Sequence, residues 1–179
     1  MKNQVPFSAR MREEKTLIIA CHDSQEETAH EFHENVFILS SPGNVVRRHN
    51  YRQQEELRYF VEDEGCRQIV VVGHLHDVAV QHILQDLSDN SPYAALVFNG
   101  NTPLGVPAED CMDAAVYEQA LVELNTIQQC NLLMEYHFIQ ALIKARRLTI
   151  IGVVTGGAHG EPAQVFHNGI SYNNLISLN

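Results

Sequence analysis

Apolar residues fall along the chain in short unbroken runs, separated by polar stretches and by segments of helical period. Thr16-Leu-Ile-Ile-Ala-Cys21 opens after a charged stretch and reads as a buried strand. Asn35-Val-Phe-Ile-Leu39 reads as a second, stopped by the turn chemistry of Ser40-Ser-Pro-Gly43. The polar segment Ser24 to Glu34 between them has room for a short helix. Over Gln54 to Glu64, Leu57, Phe60 and Val61 recur at helical spacing, and Gly65 is placed to end the helix. Gln68-Ile-Val-Val-Val-Gly73 is apolar at every position from Ile69 to Val72, as expected of a strand buried on both faces in a parallel sheet.

A helical period returns after Asp77 at Val78, Val80, Ile83, Leu84 and Leu87, and Pro92 to Pro107 is the least regular part of the chain. Glu109 to Arg147 reads as mostly helical, with Ala115, Leu121, Leu124, Leu132, Leu133, Phe138, Ile139 and Leu142 facing inward. A break is expected near Cys130 and Asn131, because one uncapped helix of that length is unusual in a globular domain. Leu148 to Val154 is a fourth strand, and Gly156-Gly-Ala-His-Gly160 with Ala163 to Phe166 predicts a hairpin. Strands alternating with helices give an α/β domain with a mainly parallel sheet.

Composition narrows the function classes. The chain has 179 residues, 45% of them hydrophobic, which fits one core: an N-terminal arm over 1–15 and a single domain over 16–179. A net charge of −10 argues against a nucleic-acid binder and against attachment to anionic membranes. No run approaches the roughly 18 apolar residues of a spanning helix, and Met1 to Lys15 lacks the apolar segment of a secretory signal, so a cytoplasmic location is expected. Four cysteines do not make a disulfide scaffold, and Cys66, Cys111 and Cys130 read as buried packing. Arg47 to Arg52 is the one compact basic stretch and reads as a solvated loop. No G-x-G-x-x-G follows the first strand and no Walker-type lysine motif occurs, which sets aside a nucleotide fold.

Sites in open α/β sheets gather beyond the carboxyl ends of the strands. Two such ends carry unusual residues: Cys21-His22-Asp23-Ser24 after the first strand, and Gly73-His74-Leu75-His76-Asp77 after the third. A thiolate, imidazoles and carboxylates meeting there suit a divalent transition metal, most naturally zinc.

In that order these motifs resemble the β-class carbonic anhydrases. The family carries Cys-x-Asp-Ser-Arg after its first strand, where this chain has Cys21-His22-Asp23-Ser24-Gln25. An Arg-Asn-Ala-Gly-Asn turn follows the second strand, here Ser40-Ser41-Pro42-Gly43-Asn44. The third strand ends Gly-His-x-x-Cys-Gly, here Gly73-His74-Leu75-His76-Asp77-Val78, and Ile151-Gly152-Val153-Val154 falls where the family has a late Ile-x-Gly strand. The resemblance spans Thr16 to Phe166. It implies a three-layer α/β fold with a mainly parallel sheet flanked by helices, associated as a homodimer or higher homo-oligomer. It also implies a zinc ion on two cysteines and a histidine, activating a water that attacks carbon dioxide to give bicarbonate.

Carried over residue by residue, Cys21 and His74 match two zinc ligands, and Asp23 matches the aspartate that an arginine keeps off the metal. The departures fall on the site. Asp77 stands in the place of the second cysteine, Gln25 in that of the arginine, and Val78 in that of the following glycine. A carboxylate at 77 keeps the ligand charge, and a Zn–O bond of about 2.0–2.2 Å against about 2.3 Å for Zn–S partly offsets the longer side chain. A neutral glutamine cannot reproduce the two charge-assisted bonds of a guanidinium. The resemblance thus predicts a metal set of Cys21, His74 and Asp77, with Asp23 and Gln25 as the polar catalytic pair and His22 and His76 as spare imidazoles. Two functions follow from it: a weakened zinc hydrase acting on carbon dioxide, bicarbonate or a related small electrophile, or a non-catalytic relative with a structural, regulatory or partner-binding role.

Overall fold

The computed structural model describes residues 14–22, 35–47, 50–78, 114–156 and 162–172. Its described strands are β1 (Thr16–Ala20), β2 (Val36–Ser40), β3 (Gln68–His74), β4 (Thr149–Thr155), β5 (Ala163–His167) and β6 (Ile170–Ser171). Helix α1 (Tyr51–Arg58) runs on into a π-helical turn, Tyr59–Asp63, and α2 (Ala114–Met134) is followed by α3 (His137–Lys144). The six strands form one sheet in the order β2-β1-β3-β4-β5-β6. The first four are parallel, β4–β5 and β5–β6 are antiparallel, and the predicted hairpin is present.

The unbroken apolar runs are explained by two cores. Leu17, Ile19, Ile69, Val71 and Ile150 point to one face, where Leu57 of α1, Leu121 and Leu133 of α2 and Phe138 and Ile139 of α3 pack. Ile18, Ala20, Val70, Val72, Ile151 and Val153 form a separate cluster, the other face of the alternating side chains. Both sets are buried, so the central strands need apolar residues at every position.

Helix α2 lies on bare backbone. A Cβ placed on Gly73 would come within 2.2 Å of Thr126 Oγ1 and 2.8 Å of Val122 Cγ1. One placed on Gly152 would come within 2.9 Å of Phe166 Cβ, 3.0 Å of Cys130 Sγ and 3.1 Å of Thr126 Cγ2. Thr126 turns its hydroxyl back to the Val122 carbonyl (2.8 Å), so no polar atom is stranded in this contact.

Several boundaries differ from expectation. Helix α1 begins three residues before Gln54, because Asn50 accepts a hydrogen bond from Gln53 N (3.1 Å) and caps it. Tyr51 and Arg52, the end of the basic stretch, are therefore helix and not loop. Gly65, with φ +74°, follows the π-helical turn as anticipated. The long helical region breaks at Glu135–Tyr136 and not near Cys130. Cys130 is fully buried in mid-helix against Gly152, whereas Tyr136 leaves the helix (φ −71°, ψ 122°) and donates from its hydroxyl to Arg47 O (2.9 Å). Ala115, expected inward, is exposed. The short strand β6 was not anticipated. The helices expected over Ser24–Glu34 and after Asp77, the irregular Pro92–Pro107, Cys111 and most of the N-terminal arm lie outside the described residues, except that Asp77 and Val78 are described.

Replacing Gly73 with Ala should destabilise the protein by more than about 2 kcal/mol, the range of an overpacked core, with Gly152→Ala smaller because its nearest contacts are longer. Urea denaturation of the two variants checks the size and the order.

Candidate metal centre at the strand tips

Cys21 directly follows β1, whose last residue Ala20 is in register with Val72 of β3. The thiol therefore comes off its strand beside Gly73 and His74. His74 is the last residue of β3, in register with Thr155 of β4, and is half-buried. Gly156 flanks it so closely that a Cβ there would lie 3.4 Å from His74 Nε2.

Beyond His74 the chain makes a tight turn. Asp77 N donates to His74 O (3.3 Å), and Leu75 N donates to Thr155 O (3.0 Å). His76 occupies the third position with φ +71°, a conformation histidine adopts more readily than most residues but still at a cost. Glu118 of α2 stabilises it: Oε1 accepts from His76 N at 2.7 Å and lies 3.4 Å from His76 Nδ1. The imidazole itself is exposed, and Asp77 is buried at 3%.

The third wall is the segment after β2. Pro42–Asn44 forms a single 3-10 turn in which Gly43 (φ +65°) and Asn44 (φ +59°) are both left-handed. Gly43 meets this demand without a Cβ penalty, while Asn44 is among the residues that tolerate it. Gly43 N donates to Cys21 Sγ at 3.3 Å, and Ser41 N donates to Ala20 O at 3.2 Å. Asn44 Nδ2 donates to Val72 O in a short hydrogen bond, and Asn44 Oδ1, fully buried, finds no partner among the described residues.

Helix α2 carries a buried polar row that apolar periodicity alone did not disclose. Asn125 Nδ2 donates to Gly43 O (3.0 Å), Gln129 Nε2 to Asn125 Oδ1 (2.8 Å), and Val46 N to Gln129 Oε1 (2.8 Å). Asn125 and Gln129 stand on the same side of the helix as Leu121 and Leu132, all four buried, and amides at core-facing helical positions were the readable signal. Glu123, also buried, accepts from Gln119 Nε2 (2.9 Å) through one oxygen; the other has no partner among the described residues. Burial pushes its carboxyl above the usual range, a shift the Gln119 bond only partly opposes.

Of the residues singled out in the sequence, Cys21, His74 and Asp77 are thus placed at or just beyond the tips of β1 and β3, while Asp23 and Gln25 lie outside the described residues. His22 is exposed. Among the described residues no group of three or more His, Cys, Asp and Glu side chains is drawn closely enough together to hold a metal ion. The donor types suit zinc, and the strand tips bring the residues to one end of the sheet. At that end lie a buried thiol with an amide aimed at it and a buried Asn44 oxygen without a partner among the described residues. Cys66 and Cys130 are packing residues as expected: burial pushes the Cys66 thiol up to about 11, with Lys15 in partial opposition, and raises that of Cys130 further.

The family model described as carbonic anhydrase matches residues 16–161. The chain belongs to the β-class carbonic anhydrase family. Its fold is similar to that of the β-carbonic anhydrase CafD of Aspergillus fumigatus, at 23% identity and a TM-score of 0.71, covering 91% of this chain and 95% of that one. Tetrameric β-carbonic anhydrases from Sordaria macrospora are similar at 20% identity and a TM-score of 0.68, covering 93% and 86%. The Coccomyxa β-carbonic anhydrase in complex with acetazolamide follows at 20% and 0.64, covering 88% and 75%. No curated protein sequence matches the chain. No helix among the described residues is long and apolar enough to cross a membrane.

Glu123 yields a pH prediction. Its carboxyl is raised in the folded state, so folding favours the protonated form. That contribution is intact below the unfolded value near 4.5 and is lost as pH rises toward the folded value. Glu123→Gln should therefore stabilise the protein at pH 7 and confer no advantage at pH 4, as read by urea unfolding at both pH values.

Proposed function

We propose that this family member is a weakened zinc hydrase acting on carbon dioxide or a closely related small electrophile. Cys21, His74 and Asp77 would hold the ion, and Asp23 and Gln25 would stand beside it. The observation that carries the reading is the placement of Cys21 and His74 at neighbouring strand tips, with the Gly43 amide aimed at the Cys21 sulfur. Zinc at such a site supplies Lewis acidity that makes water a nucleophile at neutral pH.

The chain's own residues account for the weakening. Asp77 offers a harder donor than the thiolate it replaces, which lowers affinity for a borderline-soft ion. A neutral Gln25 could not offer Asp23 a bidentate charged partner, which would leave less to keep the carboxylate off a coordination position that a reacting water needs. Val78, exposed beside Asp77, adds bulk at the approach. The tetrameric Sordaria macrospora relatives support a homo-oligomeric assembly for this chain as well.

Elemental analysis of the protein purified with zinc should give close to one zinc per chain, falling to background in Cys21→Ala and His74→Ala. Stopped-flow hydration of carbon dioxide should be measurable, be abolished in Cys21→Ala, and rise about tenfold or more when Asp77→Cys is combined with Gln25→Arg. Absence of zinc uptake would defeat this reading and leave the non-catalytic alternative.

A further inference from the structure

We propose that Asn125 is a positioning residue for the strand-tip site: oriented by Gln129, it holds the Gly43 carbonyl so that the amide of the same residue donates to the Cys21 sulfur. The inference deepens the metal-site reading, since Cys21 is its one sulfur ligand.

The geometry is a continuous chain of hydrogen bonds. Gln129 accepts from Val46 N at 2.8 Å and donates to Asn125 Oδ1 at 2.8 Å. That second bond decides which end of the Asn125 amide faces which partner, leaving Nδ2 to donate to Gly43 O at 3.0 Å. Gly43 N in turn donates to Cys21 Sγ at 3.3 Å. Asn125 is 2% exposed, Gln129 0% and Cys21 1%, so water cannot substitute for a lost partner.

Local preference permits the turn but does not fix where it sits against Cys21: Gly43 and Asn44 are consecutive left-handed residues of the two types that tolerate that region. Asn44 secures its own side to Val72 O, and Asn125 secures the Gly43 peptide from the helix. Helix α2 thereby helps to set where the sulfur sits, through the Gly43 peptide.

The test is iodoacetamide alkylation of the full chain, followed peptide by peptide by mass spectrometry. Cys66 and Cys130 serve as internal standards for general loosening. Asn125→Asp keeps the volume and removes the donor, and Asn125→Ala removes both. Alkylation of Cys21 should rise about tenfold in both variants, with less than about a twofold change at Cys66 and Cys130. No change at Cys21, a parallel rise at all three thiols, or a rise in Asn125→Ala without one in Asn125→Asp would overturn the proposal. Cobalt titration, read at the thiolate-to-cobalt charge-transfer band, keeps the two readings apart. A wild-type chain with no band sinks the metal site and leaves alkylation to judge Asn125. A wild-type band that persists unaltered in Asn125→Asp overturns the positioning role.

Discussion

Two side-chain amides in the middle of a buried helix hold the site end of this molecule together. Asn125 and Gln129 bond to each other and to the irregular backbone at Gly43 and Val46, satisfying groups that no strand reaches. Leaving any one of these groups unpaired in the interior would cost about 1–3 kcal/mol, a large fraction of the stability of an ordinary domain. The turn after β2, the sulfur it contacts and the entry to α1 all take their positions from this pair. Tyr136, Gln53 and Asn50 finish the work further along the same segment.

The strands were readable in the sequence because a parallel sheet buried on both faces leaves an unbroken apolar signature, as Ile69 to Val72 shows. What escaped were features decided by single polar contacts. The Asn50 cap shifted the start of α1, and the anchoring of Tyr136 moved the break in the long helical region. The polar row of α2 is not visible to apolar periodicity, because its inward-facing amides are buried only through their partners at Gly43 and Val46. Cys21, His74 and Asp77 were legible as candidates because they follow two strands and stand at the ligand positions of the family's motifs. Whether their side chains share an ion depends on rotamers and on a ligand, neither of which leaves a trace in residue order.

Among the described residues, the departures from the family pattern at Ser40, Ser41, Pro42, Asp77 and Val78 fall at or just beyond strand ends. Asp77 closes a turn whose shape is held by backbone bonds and by Glu118 reaching to His76 from the helix. The substitutions at Ser40, Ser41 and Pro42 precede a turn whose two left-handed residues, Gly43 and Asn44, match the family's Gly-Asn. Scaffold and side-chain identity are therefore separable here: an aspartate stands where the family pattern has a cysteine, while the hydrogen bonds that shape this end of the sheet are in place.

Helix α2 presses the side chains of Val122 and Thr126 against Gly73, and those of Thr126 and Cys130 against Gly152, where neither glycine has a side chain of its own to hold the helix off. Such a seat is keyed: an axial slip of a single residue would drive bulk into the backbone at two places at once. Any adaptation of this site to an ion must then come from side-chain rotation and flexing of the connecting turns, because the axle on which they are mounted cannot slide.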